Sequence, residues 1–352
     1  MNRIGMNRIG MNRTGMNRTG KRRMIVATAT AAAVAAGVGI AFAVVPGGEG
    51  GAAAAPAAAH SGHGGGGGGS LGPVSSPNRE GAAFFAAALN GANEVPAADG
   101  KATGDKDGQA VAFLRVQGDD VSFAFSFRGI AAPTAAHLHQ GERGKNGDVR
   151  IPFFAQKLPD GRTSATGTVK VTDRKLLDAL ASGPGGFYLN LHTGEFPGGA
   201  VRGQVHRLSA PLDMNGAVNA VQASVVEGRQ IYACRKQDGG GFAFVQDNVA
   251  ATLSGNIAHS FVRPGGDPQW IAPDGSAVTG KVVTKTPNGD GNIPELDLRA
   301  ARSGAGTGVL ATTTEILRLN TRGGVAPAGP CAPQRQPAAA VPYRADYVFI
   351  GR

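Results

Sequence analysis

Residues 109–128, QAVAFLRVQGDDVSFAFSFR, constrain the fold more than any other stretch of the sequence. In the second half of this stretch, apolar residues alternate with small and polar ones, and a β-strand turns successive side chains to opposite faces. Gly118, Asp119 and Asp120 separate two such runs and have the composition of a hairpin turn. The stretch therefore predicts a β-hairpin with one face against the core of a sandwich. The apolar face consists of Val121, Phe123, Phe125 and Phe127.

Short strand-like runs with turn residues between them recur through most of the remaining chain. They include AAFFAAALNG, TSATGTVKVT, GFYLNLHT and GAVRGQVHRL, and the 56 glycines supply many of the turns. Outside the N-terminus, the one short helical pattern is DRKLLDALASG, with Asp173 or Thr172 as its cap and Gly183 at its end. The sequence therefore predicts an all-β fold with two β-sandwich or barrel-like domains.

The net charge of +10 does not identify a nucleic-acid-binding protein. Seven of the 35 basic residues lie within residues 1–45, which contain no acidic residue. The rest of the chain contains 28 basic and 25 acidic residues. The positive excess therefore belongs to the N-terminal segment rather than to a folded surface. Basic and aromatic residues are also not interleaved in the way that stacked bases require. We therefore expect no nucleic-acid partner.

The first 80 residues predict an exported protein. After four repeats of a five-residue unit, MNRIG or MNRTG, three cations precede the 22 uncharged residues 24–45, which is the pattern of a secretory signal. The alternative is that this segment stays in the membrane as an anchor, since its length spans a bilayer. Residues 46–80 are rich in Gly and Ala and predict a disordered linker. In both cases the folded domains lie outside the cytoplasm.

Three histidines of the first domain have a spacing that brings their side chains together. His137 and His139 lie two apart in AAHLHQ and share a face if this segment is a strand. His192 ends the strand-like run FYLNLH, in which polar residues alternate with leucines. The pattern predicts that the three imidazoles converge outside the main core. The leucines predicted to face the core are Leu138, Leu189 and Leu191.

Two interpretations of this cluster follow from the residues. Three neutral imidazoles with an open fourth position suit zinc or copper. Glu195 is close enough in sequence to accept a hydrogen bond from a ligating ring, and Arg202 is a second supporting candidate. Alternatively, the histidines only hold the loops QGERGKNGD and GEFPGG in place, with Arg202 paired to Glu142 or Glu195.

Four motifs across residues 81–208 resemble the CHRD (chordin-type) domain. In chain order they are LNGANEVP, AHLHQGERGKNGDV, LLDALASG and FYLNLHTGEFPGGAVRGQV. The resemblance implies an immunoglobulin-like β-sandwich or barrel of extracellular proteins, without an established catalytic activity. Positions that fall on the family pattern include Asn90, Glu94, His137, His139, His192 and Arg202.

Residues 216–352 form the second predicted domain and contain both cysteines, Cys234 and Cys331. A single pair in one exported domain predicts a disulfide, which would tie the domain's first strand to the loop APAGPCAPQRQP. A catalytic thiol would need a positioned histidine, and His259 is the only histidine of the domain. QIYAC, PQWIAPDGSAVTG, ILRLNTRGG and ADYVF resemble a family of exported microbial domains of unknown function, which implies no chemistry.

These features together predict an exported, non-enzymatic binding protein of the cell envelope or the extracellular medium. We expect an extracellular protein or a surface polymer as its partner, and membrane contact only through an N-terminal anchor. The alternative is a zinc- or copper-binding β-sandwich. A more distant alternative is an enzyme similar to copper–zinc superoxide dismutases, but His206 and Asp148 are the only extra candidates for the further ligands that such an enzyme needs. The sequence contains no P-loop, nucleophile elbow or zinc-finger spacing.

Overall fold

The predicted hairpin of residues 109–128 is present and belongs to the first of two barrel-like sheets. The computed structural model describes residues 69–351, so the predicted signal segment and residues 46–68 of the predicted linker lie outside the described residues. Most elements of the described chain are β-strands, which confirms the all-β prediction. Within the described range, no helix has the length and hydropathy needed to cross a membrane.

The first sheet contains β1 (Ser70–Leu71), β2 (Ala83–Asn90), β3 (Gln109–Gln117), β4 (Asp120–Arg128), β5 (Ala135–Gln140), β6 (Val149–Phe154), β7 (Ser164–Lys170), β8 (Phe187–His192), β9 (Val201–Gln204) and β10 (His206–Arg207).

The first sheet curls until its two edges meet. Its antiparallel strands follow the order β1-β7-β4-β3-β2-β9-β8-β5-β6, and β10 pairs with β2. The backbone N–H of Gly69, directly before β1, donates to the carbonyl of Phe153 in β6 at 3.0 Å. The alternating residues of β4 point into the space enclosed, where the rings of Phe123, Phe125 and Phe153 pack with centroids 5.1 to 5.7 Å apart.

The predicted helix is also present, as α1 (Arg174–Ser182) between β7 and β8. The Asp173 carboxylate accepts a hydrogen bond from the Leu176 N–H at 3.0 Å, so it satisfies one of the donors that a helix start leaves open. Gly183 follows the last turn, as predicted. The leucines on the inner side of α1 are buried and extend the core of the first barrel.

The predicted linker ends earlier than the composition indicated. Residues 69–80 pack on the first barrel, with β1 paired to β7 and Val74 buried. The physical reason is Arg115, a buried side chain on β3 whose guanidinium needs acceptors. It donates to the Ser76 carbonyl at 2.8 Å and to Asn78 Oδ1 at 2.9 Å. The Ser- and Pro-rich segment therefore wraps around a buried charge.

The second sheet is a closed antiparallel barrel in which each strand pairs with its neighbour in sequence and the last strand pairs with the first. Its interior is filled by a cluster of aromatic side chains around Trp270, Tyr347 and Phe349, all at most 1% exposed. The strands are β11 (Val221–Lys236), β12 (Phe242–Leu253), β13 (Ile257–Phe261), β14 (Pro268–Ile271), β15 (Ala277–Thr286), β16 (Glu295–Arg302), β17 (Thr313–Gly323) and β18 (Ala338–Gly351).

The two cysteines form the predicted disulfide. Cys234 lies near the end of β11, Cys331 lies in the loop before β18, and their Cα atoms are 5.8 Å apart. The Cys331 N–H also donates to the Phe242 carbonyl at the start of β12. The bond therefore fixes the proline-rich loop to the first hairpin of the second barrel, as the sequence predicted.

A third apolar layer joins the two barrels. Strand β2 is buried on both faces: Phe85 and Leu89 point into the first barrel, and Phe84 and Ala88 point into the layer. This is why its sequence, AFFAAAL, is continuously apolar rather than alternating. The second barrel contributes residues of β17 and β18 to this layer. The connector between the barrels contributes further apolar residues. These residues include Leu212, Met214, Leu317, Leu319, Val348 and Ile350. Both barrels belong to one compact unit.

Candidate metal centre

The three predicted histidines stand on two paired strands, β5 and β8. The antiparallel register places His137 opposite Asn190 and His139 opposite Tyr188, while His192 lies opposite Ala135. Side chains of one face alternate with those of the other, so all three imidazoles share the face that points away from the barrel core. Leu138, Leu189 and Leu191 on the opposite face are completely buried in that core. The predicted division of the two faces is confirmed.

The three imidazoles also converge, as the spacing predicted. One nitrogen of each ring can be chosen so that the three atoms lie within 4.8 Å of one another. Nδ1 of His137 and Nε2 of His192 are 3.1 Å apart, and the centroids of these two rings are separated by 4.9 Å. The rings of His137 and His139 are 5.6 Å apart. In residues 69–351, this is the one group of three histidine, cysteine or acidic side chains with such spacing.

Backbone carbonyls fix the tautomer of two rings. Nδ1–H of His139 donates to the Gly147 carbonyl at 2.9 Å, and Nδ1–H of His192 donates to the Pro197 carbonyl at 3.0 Å. A carbonyl only accepts, so both protons must be on Nδ1, and in the neutral rings the lone pairs are on Nε2. Nε2 of His192 can therefore accept from Nδ1–H of His137. This is the arrangement in which a protein presents imidazole lone pairs to a cation.

His139 is the most enclosed of the three rings, with only 4% of its surface exposed. It stacks on the Tyr188 ring with centroids 4.7 Å apart and an interplanar angle of 6°, and the Arg202 guanidinium covers the same ring at 3.4 Å. Burial lowers the pKa of His139 to about 4, against the opposing effect of its hydrogen bond to Gly147. The ring is therefore neutral at pH 7, which is the state that a metal ligand requires.

Two buried polar atoms at the centre belong to neighbouring side chains, and neither makes a well-formed hydrogen bond in the described part of the chain. They are Nε2 of His139 and Oδ1 of Asn190. A buried acceptor without a partner costs free energy, and most such atoms in folded proteins are satisfied. The other ring nitrogen of His139 is satisfied, so the deficit lies on the side that carries the lone pair. A cation would remove this deficit.

The structure differs from the prediction for the residues that support the histidines. The Glu195 carboxylate is exposed in the loop after β8, and the acceptors for the ring N–H groups are the carbonyls of Gly147 and Pro197. Arg202 does support the site, but it does not pair with the Glu142 carboxylate, which is exposed and bound to Lys145. The carbonyls take this role because the two loops bring them to 2.9 and 3.0 Å from the ring nitrogens, whereas the Glu195 side chain points to solvent.

Arg202 instead holds the loop of residues 141–148 through its backbone. Its guanidinium donates to the Lys145 carbonyl at 2.7 Å, the Glu142 carbonyl at 3.1 Å and Asn146 Oδ1 at 3.1 Å. This loop carries Gly147, whose carbonyl orients His139. Arg202 therefore acts on the histidine cluster through the loop and through the Tyr188 ring.

The two further candidates for a dismutase-like set do not join the cluster. His206 lies at the junction of the barrels, where its Nδ1 is 3.6 Å from Glu295 Oε2. Asp148 is exposed at the end of the loop. Neither residue belongs to the group of converging ligand atoms found among the described residues.

Two family models match separate segments of the chain, one within the first sheet and one covering β13 to β18 of the second, while β11 and most of β12 lie outside both matches. Residues 85–205 match the family model of the CHRD domain, and this segment contains all three histidines and Arg202. Residues 250–351 match the model described as "Protein of unknown function (DUF3455)", and this segment contains His259 and Cys331. Searches of curated proteins and of solved structures found no match. The chain therefore combines a CHRD domain with a C-terminal DUF3455 domain.

Proposed function

We propose that this protein is an exported, non-enzymatic binding protein whose CHRD domain holds one zinc or copper ion through His137, His139 and His192. The observation that carries the proposal is the convergence of three imidazoles, two of which have their Nδ1–H tied to a carbonyl. That arrangement directs lone pairs toward a common point.

The donor set decides which ions suit the site. Neutral imidazole is a good ligand for zinc and copper, whereas magnesium and calcium prefer oxygen. Zinc–nitrogen bonds of about 2.0–2.1 Å place the nitrogens of a tetrahedral site roughly 3.4 Å apart. His137 Nδ1 and His192 Nε2 are already 3.1 Å apart, so an ion would replace the proton that they share. The ligating nitrogen of His139 lies within 4.8 Å of the other two, so it would have to approach them by at most about 1.4 Å.

Access to the centre is consistent with a binding role. His137 and His192 are half-buried, while His139 is buried, so the ion would be reached from the side of the first two rings. The remaining coordination position would then be open to water or to a group of a partner. We propose an extracellular protein or a surface polymer as that partner, which agrees with the CHRD domain as an extracellular-type binding family.

Export is supported by two independent features. The disulfide between Cys234 and Cys331 belongs to an oxidising compartment, since cytosolic thiols are kept reduced. The basic and apolar segment of residues 21–45 has the pattern of a secretory signal. We propose that the mature chain begins after this segment.

Metal content of the full secreted protein, purified without a polyhistidine tag, tests the proposal. We expect one zinc or copper ion per chain by elemental mass spectrometry, and its loss in the His139→Ala variant. A matched control is the His60→Ala/His63→Ala double variant, because these linker histidines are the chain's candidates for adventitious binding. This control should keep the ion.

The alternative interpretation has a different outcome. If the histidines only hold the loops in place, His139→Ala lowers the free energy of unfolding but leaves the metal content unchanged. A wild-type protein whose melting temperature does not change with added zinc or copper would contradict the proposed site in the same way.

A further inference from the structure

A cavity separate from the histidine cluster lies in the crevice between the two barrels. It has a volume of about 220 Å³. The CHRD barrel contributes Glu94, Arg143 and Arg202 to its lining, and the second barrel contributes Asn320 and Arg322. Because both barrels supply walls, the crevice exists only in the assembled chain.

Three arginines line this crevice, and two of them lack a carboxylate partner. Arg143 pairs with Glu295 across the barrel junction at 2.9 Å. Among the ion pairs of residues 69–351, neither Arg202 nor Arg322 has a carboxylate oxygen within 4.0 Å. The cavity wall therefore carries an excess of positive charge, which attracts an anion.

Arg322 has unused donors, and its neighbours are held in place. Its guanidinium donates to Asn93 Oδ1 at 3.1 Å, which uses one of five N–H groups. Asn320 donates to the Ala88 carbonyl at 2.8 Å and to Asp346 at 2.6 Å, and it accepts from Arg143 at 3.2 Å. The polar wall is thus ordered before any ligand arrives, which reduces the cost of binding.

Glu94 gives the second, independent indication of a ligand. Its Oε1 is buried and has no hydrogen-bond partner in the described part of the chain. The carboxyl stands beside Arg202, yet burial outweighs that attraction and raises its pKa to about 8. Most molecules therefore carry a neutral carboxyl here at pH 7. A neutral carboxyl donates a hydrogen bond and does not repel an anion.

We propose that this crevice binds a small organic anion, whose carboxylate or phosphate group is held by Arg322 and Arg202. Arginine is suited to both groups because its planar donors match two oxygens at once. The cavity has the volume of about seven water molecules, which corresponds to a compound of roughly monosaccharide size. A sugar acid or sugar phosphate fits these limits, either as a free molecule or as a charged unit of a surface polymer.

The anion site does not depend on a metal ion. The crevice and the histidine cluster share Arg202, which lies over the Tyr188 ring, and the loop of residues 141–148, which places Arg143 in the crevice and the Gly147 carbonyl on His139. Loss of the metal site by substitution of His139 would leave the arginines in position. Failure of one proposal is therefore distinguishable from failure of the other.

Calorimetric titration of the intact protein with glucuronate and with inorganic phosphate, at fixed ionic strength, tests this proposal. We expect saturable 1:1 binding and a dissociation constant at least tenfold weaker in Arg322→Gln. Arg299→Gln is the matched control because it removes the same charge from an exposed position on β16 outside the crevice. The control should bind within twofold of the wild type.

Three results would overturn the anion site. They are an absence of saturable heat with both probes, an Arg322→Gln variant that binds as tightly as the wild type, and an equal loss in both variants, which would indicate general charge attraction. A glucuronate-containing polysaccharide identifies the source of the ligand. Tighter binding of the polymer than of free glucuronate supports a surface polymer, and binding of free glucuronate alone supports a free metabolite.

Discussion

His139 in the first barrel and His259 in the second have nearly the same surroundings. Each Nδ1–H donates to a backbone carbonyl, from Gly147 at 2.9 Å and from Gln269 at 2.8 Å. Each ring stacks on an aromatic side chain, with interplanar angles of 6° and 4°. Burial lowers the pKa of both, to about 4 for His139 and to about 3 for His259.

The two histidines differ at Nε2. In His259 this atom is 3.1 Å from the Tyr347 hydroxyl, which donates to it, so every polar atom of the ring has a partner. In His139 the same atom is buried and makes no well-formed hydrogen bond in the described residues, and the Asn190 side chain and two further imidazoles lie beside it. Burial and a shifted pKa are therefore shared by a core histidine and a candidate ligand. The unsatisfied lone pair is what separates them.

Two buried carboxyls repeat this contrast. Asp346 on β18 accepts hydrogen bonds from Asn90, Asn320 and Ser224 at 2.6 to 2.8 Å. Glu94 has a buried oxygen without a partner in the described chain. Burial raises the pKa of both groups. The hydrogen bonds of Asp346 thus link the two barrels, while Oε1 of Glu94 is the atom that is left to interact with a ligand.

The largest expected effect comes from reducing the disulfide, which tests whether the two barrels differ in stability. Cys234 and Cys331 are separated by 97 residues, and the loop-entropy model gives a loss of roughly 4–5 kcal/mol on reduction. The CHRD barrel contains no cysteine. Hydrogen exchange measured with and without reductant should therefore increase in β11, β12 and β18 far more than in β3 and β4.

An equal increase of hydrogen exchange in both barrels would contradict this prediction. It would mean that the apolar layer around Phe84 and Val348 makes the two barrels unfold together. The oxidised protein in the same buffer, with the reductant already quenched, is the control.

The next largest effect is expected for substitution of the satisfied histidine. His259→Ala leaves a cavity in the second barrel and removes partners from the Tyr347 hydroxyl and the Gln269 carbonyl, so we expect a loss of roughly 3 kcal/mol. His139→Ala should cost only about 1 kcal/mol in chelator-treated protein, because one of its ring nitrogens already lacks a partner. Urea denaturation at pH 7.5 measures both values.

Added zinc then sharpens the comparison. It should stabilise the wild type and His259→Ala by similar amounts and leave His139→Ala unchanged. Equal stability losses in the two variants, with equal responses to zinc, would show that Nε2 does not distinguish the two histidines.

A smaller effect, about 2 kcal/mol, is expected for the carboxyls as pH changes. An acid whose pKa is higher in the folded chain binds its proton more tightly there. For Glu94 this stabilisation is complete below the unfolded value near 4.5 and is lost as pH rises through about 8. Glu94→Gln cannot ionise, so it should match the wild type at pH 4 and be more stable by roughly 2 kcal/mol at pH 9, after a discount for partial exposure.

Asp346→Asn is the matched comparison for that prediction. It replaces an acceptor of three hydrogen bonds and should destabilise the protein at both pH values. A Glu94→Gln variant that lost stability equally at pH 4 and pH 9 would contradict the assignment of Glu94 as a neutral, unsatisfied group.

The parts of this structure that the sequence predicted are those set by local periodicity. Alternation placed the β4 phenylalanines inward, and the two-residue spacing of His137 and His139 placed both on one face. These predictions succeed because the pleat of a strand is a property of consecutive residues. The disulfide was also predictable, since the chain holds only one pair of cysteines.

The parts that the sequence did not predict depend on contacts between distant segments. Every residue has a carbonyl, so nothing in the sequence marked Gly147 and Pro197 as the acceptors instead of Glu195. Residues 69–80 have a linker's composition, but a buried arginine on β3 orders them. The crevice around Arg202 and Arg322 is formed by residues of both barrels, and no local sequence pattern predicts such a surface.

The smallest expected effect tests how the histidine centre is supported. The Tyr188 hydroxyl lies 3.2 Å from the Gly147 N–H, and the Tyr188 ring stacks on His139. Tyr188→Phe keeps the ring but removes this hydrogen bond, so we expect a loss of about 0.5–1 kcal/mol and a zinc affinity reduced only a few-fold. Tyr188→Leu also removes the stack and should weaken zinc binding further. Competitive zinc titration measures both variants, and equal affinities would show that the aromatic ring does not position His139. A wild-type affinity in both would leave the Gly147 carbonyl as the group that orients the ligand.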